Sequence, residues 1–282
     1  MLSYQHEYHA GNFADVHKHV CLRVLFEALL KKDKPFCYID CHAGAGIYAL
    51  DSAQARKTAE ADAGIHRLWT DRAQRRSPTM TAYLKTVAAF NTNEQLSVYP
   101  GSPALASHWL REQDRALMLE LHPQAQRALK ENFRNDPRIS IHGRDCYEGL
   151  PSLLPPVIKR GLVLLDPSYE VKSEYRKVVA LCVAAKRRWP NGVFALWYPL
   201  LPADYHLGLL HELRESGFES ILLSEMTVVP KGVADGMYGS GLAIVNPPWQ
   251  MDEQLDDLVN GLASVLSPAH GKARVHWLAR AC

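Results

Sequence analysis

The chain has 282 residues, of which 47% are hydrophobic and 22% charged, and its formal net charge is +2. A chain of this length and composition can bury a substantial core, which excludes an intrinsically disordered protein. The charge is too small to predict a polyanionic partner, so any nucleic-acid contact must come from local basic clusters. A cluster of basic residues is more often part of a solvated surface than a nucleic-acid contact. Three such clusters are present: Arg72, Arg75 and Arg76; Lys159 and Arg160; Lys186, Arg187 and Arg188.

The spacing of the cysteines and the lengths of the apolar stretches indicate the cellular compartment of the protein. The six cysteines are scattered without a C-x-x-C pair, which is typical of reduced thiols rather than of disulfides or a zinc site. The first residues lack a basic segment followed by an apolar core, and no apolar stretch approaches the roughly 18 residues that cross a bilayer. We therefore expect a soluble, cytoplasmic protein without a membrane partner, and we take it to be a monomer.

Helical patterns alternate with short apolar runs along the chain. A first helix is predicted at 14–32, with Asp15 near its start. Strands are predicted at 36–40, 116–120, 139–141, 162–165, 192–197, 220–229 and 242–245. Helices are predicted at 124–133, 173–189 and 205–216, and a helix at 252–266 and a strand at 273–278 close the chain. This alternation predicts an α/β fold with a mostly parallel, seven-stranded sheet covered by helices on both faces.

The first two strands are unusually far apart. About 70 residues separate Gly46 from Glu120, whereas a βαβ unit needs only about 30. The excess contains helical patterns at 64–69 and 81–90. We therefore predict a helical insertion subdomain at 51–97 inside a domain formed by 1–50 and 98–282, in which residues 1–35 form a lid and a helix.

The motif Asp166-Pro-Ser-Tyr169, directly after the apolar run 161–165, is the most informative part of the sequence. The Asp166 carboxylate and the Pro167 carbonyl can both accept hydrogen bonds from an amino group on a flat ring. The Tyr169 ring can stack on the same ring. The motif alone is weak, because Asp-Pro is also a common turn after a strand.

Acidic or small residues follow three other predicted strands, at the edge where doubly wound sheets bind ligands. The turn after the first strand is rich in small residues, and Gly44 lets its backbone approach a ligand closely. Glu120 can accept both hydroxyls of a ribose, and Asp145 can accept from an adenine amino group. Because no loop is long enough for a pyrophosphate, the set favours S-adenosylmethionine over NAD.

Further motifs run through the whole chain: MLSYQHEYHAGNFADVHKH at 1–19, DCHAGAG at 40–46, YPGSP at 99–103, ELHP at 120–123, ALWYP at 195–199 and NPPW at 246–249. Together with residues 166–169 they resemble the RlmJ family of bacterial 23S rRNA adenine-N6 methyltransferases. The resemblance implies a Rossmann-like class I fold that uses S-adenosylmethionine and carries a helical insertion. It also implies 23S rRNA, naked or in a partly assembled large subunit, as the partner.

Carried over residue by residue, the resemblance implies three groups of site residues. The catalytic residue of the family is Asp166, to which our own interpretation of the motif adds Pro167 and Tyr169. The substrate side comprises Tyr4, His6 and, as our own addition, Lys18. The cofactor pocket comprises His19, His42, Ser102, Glu120, Asp145, Cys146 and Asp166, with Gly44 from the glycine turn.

The chain departs from the family pattern at two positions. The usual Asp-Pro-Pro-Tyr is Asp-Pro-Ser-Tyr here, and Cys146 stands where glycine is common. Ser168 removes a stiffening ring but leaves Asp166 and Pro167 in place. Cys146 matters little if only its backbone N–H is used, so we expect activity to survive both changes.

Asn246-Pro-Pro-Trp249 fits the general amino-methyltransferase pattern better than residues 166–169 do. However, this motif follows a late strand, which should lie away from the first strand. The fourth strand, which precedes Asp166, normally neighbours the first strand. We therefore assign the chemistry to Asp166.

Three other functions stay open at this point. The histidines His6, His9, His17 and His19 suggest a metal-dependent hydrolase, although residues two apart on a helix point to different faces, and we predict no metal. A DNA adenine-N6 methyltransferase of DNA uptake or marking would use the same site residues, so only the resemblance favours RNA. A non-catalytic nucleic-acid-binding module is disfavoured, because the acids at the strand ends would repel phosphates.

Overall fold

A computed structural model describes residues 5–72, 77–92, 95–233 and 235–280. The strands in these ranges are β1 (Cys37–Asp40), β2 (Ile47–Ala49), β3 (Val98–Pro100), β4 (Arg115–Leu119), β5 (Ile139–His142), β6 (Gly161–Leu165), β7 (Val193–Leu200), β8 (Ile221–Thr227), β9 (Gly239–Val245) and β10 (Lys272–Ala279). The helices are α1 (Phe13–Leu30), α2 (Ala53–Thr58), α3 (Ile65–Thr70), α4 (Pro78–Ala89), α5 (Ser102–Trp109), α6 (Pro123–Phe133), α7 (Cys146–Leu153), α8 (Glu174–Arg188), α9 (Tyr205–Glu215) and α10 (Met251–Leu266).

The main sheet has the order β10-β8-β9-β7-β6-β1-β4-β5. Strands β5, β4, β1, β6 and β7 pair in parallel, and β9 runs antiparallel between β7 and β8. This order confirms the Rossmann-like, mostly parallel architecture of class I methyltransferases. The prediction of seven strands is wrong by one, because β10 pairs antiparallel with the outer side of β8. A sheet edge that offers free backbone groups can take up such a further strand.

The sheet is buried on both faces by two groups of apolar side chains. Along β1, Tyr38 belongs to the core under α1 and α10, and Ile39 belongs to the core under α8 and α9. Along β6, Leu164 and Leu165 divide in the same way. Continuous apolar runs are what central parallel strands need, because successive side chains face opposite layers of helices.

The segment predicted as an insertion lies between two short strands. β2 pairs antiparallel with β3 in a separate two-stranded sheet, and α2, α3 and α4 lie between them in sequence. The division into a domain of residues 1–50 and 98–282 and a subdomain of 51–97 stays a prediction. Arg75 and Arg76 lie outside the described residues.

The segment before α1 is held by this helical region. Asn12 caps α1, because its Oδ1 accepts the Asp15 N–H at 2.9 Å, while its Nδ2 donates to Glu60 Oε2 at 2.9 Å. The Gly11 carbonyl accepts the Ile65 N–H at 2.8 Å. A Cβ on Gly64 would meet the Gly11 oxygen at 2.1 Å, so this close approach requires glycine. The N-terminal segment is thereby fixed over the carboxyl edge of the sheet.

In the ranges that the structure describes, no helix is long and apolar enough to cross a membrane. The cysteines within these ranges, Cys21, Cys37, Cys41, Cys146 and Cys182, are buried free thiols.

His17 on α1 is a fully buried histidine that bridges two strands. Its Nδ1 lies 2.9 Å from Ser240 Oγ and its Nε2 lies 3.0 Å from Ser224 Oγ. Burial lowers the pKa of His17 from 6.5 to about 3, so the ring is neutral in the folded chain. Between these pH values the unfolded state binds more protons than the folded state. The contribution that His17 makes to the free energy of unfolding is therefore fully present above pH 6.5, and it is lost as the pH falls towards 3.

We predict that His17→Gln makes stability less sensitive to acid. Between pH 7 and pH 5 the free energy of unfolding of the variant should fall by about 2 kcal/mol less than that of the wild type. Urea unfolding at the two pH values measures both changes. Equal losses in the two proteins would show that His17 is not the buried neutral group described above.

Candidate active site

The carboxyl ends of the parallel strands surround one cavity of about 780 Å³. Its lining includes every predicted site residue within the described ranges: His6, Lys18, His19, His42, Gly44, Ser102, Glu120, Asp145, Cys146, Asp166, Pro167 and Tyr169. Tyr4 lies outside the described residues. Parallel strands end at the same edge, which is why residues far apart in sequence meet here.

Glu120 is hydrogen-bonded to the glycine turn that follows β1. Its Oε2 accepts the Gly44 N–H at 2.7 Å, and its Oε1 accepts the His122 N–H at 2.6 Å. Gly44 has a φ of 61°, and a Cβ there would meet the Tyr48 hydroxyl at 2.1 Å. The turn therefore requires glycine at this position, and the exposed backbone lies along the cavity.

Asp40 lies beneath the same turn as a fully buried acid. Its Oδ2 accepts the Tyr38 hydroxyl at 2.8 Å and its Oδ1 accepts the His42 N–H at 3.2 Å. Burial raises the pKa of Asp40 to about 6, although these donors oppose the shift. Asp40 thus anchors the turn from below.

Asp166 at the end of β6 forms an ion pair that links it to the N-terminal segment. Lys18 Nζ lies 2.5 Å from Asp166 Oδ2 and 2.8 Å from Asp15 Oδ1. His6 Nε2 lies 2.9 Å from Asp15 Oδ2. The side chains of Lys18 and Asp15 are only 5% and 3% exposed. The four residues form a chain of polar contacts from the strand end to the N-terminal segment, and the two in the middle, Lys18 and Asp15, are buried.

The charges in this chain maintain one another. Burial opposes the charged form of Lys18, but Asp15 and Asp166 raise its pKa well above its usual value. Burial likewise opposes ionisation of Asp15, but His6 and Lys18 hold its pKa well below the usual range. Asp15 was not predicted as a site residue, because its role depends on the contact that Lys18 makes with Asp166 at the sheet edge. Its only signal was its place in the N-terminal motif.

Tyr169 has a strained backbone and a buried ring. Its φ is 57°, and its hydroxyl donates to the Trp197 carbonyl at 2.6 Å. The ring packs on Tyr175, with centroids 4.3 Å apart, and lies 5.9 Å from the Trp197 ring. A non-glycine residue at positive φ near a cavity is typical of functional sites. Trp197, which also lines the cavity, was missed as a site residue although it stands in the ALWYP motif.

The two ring nitrogens of His19 differ in their contacts. Its Nδ1 lies 2.7 Å from the Tyr99 hydroxyl, while its buried Nε2 has no hydrogen-bond partner among the described residues. Burial lowers the pKa of His19 to about 3, so the ring is neutral. Ser102 begins α5 and lines the same cavity. His17 and His19 therefore serve different partners on different faces of α1.

Asn246-Pro-Pro-Trp249 lies at the other edge of the sheet. In the antiparallel register Val245 at the end of β9 pairs with Phe194 at the start of β7. Asn246 Nδ2 donates to the carbonyls of Pro190 and Gly192, each at 2.9 Å. The motif is thus a turn at the amino end of β7, opposite the cavity, which supports the choice of Asp166.

The comparisons with known proteins agree with this geometry. Residues 33–279 match the model of the family described as ribosomal RNA large subunit methyltransferase D, RlmJ. The chain belongs to the RlmJ family. It is 42% identical over 280 residues to the ribosomal RNA large subunit methyltransferase J of Escherichia coli, and 38% identical over 282 residues to that of Haemophilus influenzae, with 99% of both chains covered in each case. A crystal structure of a Legionella pneumophila protein superimposes with a TM-score of 0.90 at 34% identity, covering 97% of this chain and all of the other.

Membership of the RlmJ family confirms S-adenosylmethionine as the cofactor. The cavity fits this group. Each Glu120 oxygen accepts one backbone hydrogen bond and keeps a lone pair for a hydroxyl group. The unpartnered Nε2 of His19 suits a polar group of the ligand, and the absent side chain of Gly44 leaves room for close approach.

We predict that Lys18→Met destabilises the fold, because it leaves the Asp15 and Asp166 carboxylates close together without their shared cation. The free energy of unfolding at pH 7 should fall by about 3 kcal/mol, as for other broken buried ion pairs. Adding Asp15→Asn should recover part of the loss by removing one of the two charges. Urea unfolding of the single and double variants tests this, and a Lys18→Met variant as stable as the wild type would contradict it.

Proposed function

We propose that the chain transfers a methyl group from S-adenosylmethionine to N6 of a specific adenine in 23S rRNA. The observation that carries the proposal is the Asp166 carboxylate, which lies at the end of β6 in the cavity beside Pro167 and Tyr169. The names of the Escherichia coli and Haemophilus influenzae relatives support ribosomal RNA of the large subunit as the substrate. The partner in this proposal is 23S rRNA, naked or partly assembled, and the protein acts as a cytoplasmic monomer.

The cofactor would be held by the glycine turn and the strand ends. Glu120 would take the ribose hydroxyls, Asp145 and the Cys146 backbone the adenine ring, and Gly44 the close backbone contact. His19, His42, Ser102 and Asp166 complete the proposed set. When bound, S-adenosylmethionine supplies an electrophilic methyl group on a sulfonium.

Asp166 and Pro167 would orient the target nitrogen. The N6 lone pair of adenine is delocalised into the ring and is a poor nucleophile. Hydrogen bonds from the amino group to Asp166 and to the Pro167 carbonyl favour a more tetrahedral nitrogen, and a bond to a charged acceptor contributes about 1.5–3 kcal/mol. Because Lys18 is bound to Oδ2 of Asp166, the other oxygen is the one left for the substrate.

The aromatic residue would fix the plane of the base. Stacking on Tyr169 contributes about 1–3 kcal/mol per base, and the hydroxyl bond to Trp197 holds the ring in place. The adenine must leave its stack to enter the cavity, which costs least in single-stranded or loosely paired RNA. Tyr4 and His6 would close over the inserted base from the N-terminal segment.

A proton leaves N6 once the methyl group has been transferred. Asp166 is its first acceptor in this proposal, since it already holds the amino group. Lys18 and Asp15 connect Asp166 to His6, whose side chain is 21% exposed. The contact with Lys18 keeps Asp166 in place while Asp166 takes up this proton and then releases it to solvent.

We expect the wild-type protein to label 23S rRNA from tritiated S-adenosylmethionine, with N6-methyladenosine as the product after nuclease digestion. Asp166→Ala should abolish the transfer, because it removes the acceptor of the amino group. The matched control is Asp204→Ala, since Asp204 follows β7 and pairs with Lys231 outside the cavity lining. Its activity should stay close to that of the wild type.

Genomic DNA and 16S rRNA are the comparison substrates in the same assay. Label in DNA in preference to 23S rRNA would favour the alternative of a DNA adenine methyltransferase. Near-normal turnover by Asp166→Ala would refute the assignment of the catalytic residue.

A further inference from the structure

His42 bridges two parts of the cavity through its two ring nitrogens. The backbone N–H of Asp166 donates to His42 Nδ1 at 3.1 Å. On the other side of the ring, Nε2 lies 3.2 Å from Cys146 Sγ. The ring therefore connects the loop after β1, the start of α7 and the end of β6.

The direction of the first hydrogen bond determines the tautomer of the ring. A backbone N–H can only donate, so Nδ1 must carry a lone pair rather than a proton. Burial lowers the pKa of His42 to about 4, and the neutral ring must carry its proton on Nε2. That proton points to Cys146 Sγ, which acts as the acceptor.

We propose that His42 is a positioning residue for the methyl transfer, which sets the Asp166 peptide, and through it the acceptor carboxylate, by accepting the Asp166 N–H at Nδ1. The inference rests on the proposed function and is distinct from the contact with the cofactor that family resemblance implies for His42. The peptide that ends β6 turns directly into Pro167, whose carbonyl is the second proposed acceptor. A shift of this peptide moves both acceptors together.

Cys146 gives this arrangement its second anchor. The thiol is 4% exposed, and burial raises its pKa, so it remains a neutral thiol beside the ring. From the sequence, only the backbone N–H of Cys146 was expected to contribute to the cofactor pocket. The structure assigns its side chain the role of orienting His42 from the start of α7.

Asparagine and glutamine variants separate the two ring nitrogens. The Oδ1 of asparagine stands two bonds from Cβ, as Nδ1 of histidine does, and can accept the Asp166 N–H. Glutamine instead places its polar atoms at the distance of Nε2. We therefore compare His42→Asn, His42→Gln and His42→Ala with the wild type in methyl transfer to 23S rRNA.

The rate constant kcat is measured at saturating S-adenosylmethionine, and the Kd of the cofactor is measured separately by calorimetry. His42→Ala and His42→Gln should lower kcat about tenfold to a hundredfold, because displacements of about 1 Å at a reacting centre have effects of this size. His42→Asn should recover most of that loss. Equal losses in all three variants, or a change in cofactor Kd alone with kcat unchanged, would overturn the proposal.

The ¹⁵N NMR spectrum of the imidazole ring provides a readout that does not depend on activity. His42 should show an unprotonated Nδ1 and a protonated Nε2 at pH 7, and its signals are identified by their absence from His42→Asn. A protonated Nδ1 would contradict the proposed role of His42 even if the enzyme is active. Absence of transfer to rRNA by the wild type, with the expected tautomer present, would instead refute the proposed function alone.

Discussion

The buried ammonium of Lys18 between Asp15 and Asp166 is the interaction on which the site depends. Two carboxylates that contact the same ammonium group would repel each other without it, and the shared cation at hydrogen-bond distance holds them in a fixed geometry. The same cation ties α1 to the end of β6. Because His6 is bound to Asp15, the segment before α1 is joined to the same network of contacts at the carboxyl edge of the sheet.

Much of the fold follows from local patterns, because buried parallel strands and amphipathic helices have distinct periodicities. The first helix was predicted at 14–32 with Asp15 near its start, and it is found at Phe13–Leu30 with Asn12 as its cap. The pair β2 and β3 was missed, since strands of three residues carry no readable period. The last strand was predicted at 273–278, but its place as the eighth strand of the sheet was not, because a local pattern can indicate a strand without indicating which edge it joins.

The acids of the cavity were predictable because parallel strands end at one edge, so Glu120, Asp145 and Asp166 had to converge. The side chains that contact these acids could not be predicted from the sequence. The bond from Asp166 to His42 and the ion pair to Lys18 span 124 and 148 residues of sequence, and their geometry depends on how α1 and the glycine turn pack. Cys146 shows the same limit, because its contact with His42 gives its side chain a role that its position in the motif did not suggest.

The central claim is that Asp166, fixed by Lys18 and His42, is the group that holds the amino group of a flipped adenine. A crystal structure of the protein with S-adenosylhomocysteine and a single-stranded RNA oligonucleotide containing the target adenine tests it most directly. The adenine N6 should lie within about 3 Å of the free Asp166 oxygen and of the Pro167 carbonyl. An adenine bound beyond hydrogen-bond reach of Asp166, or with another edge facing it, would show that Asp166 does not hold the amino group.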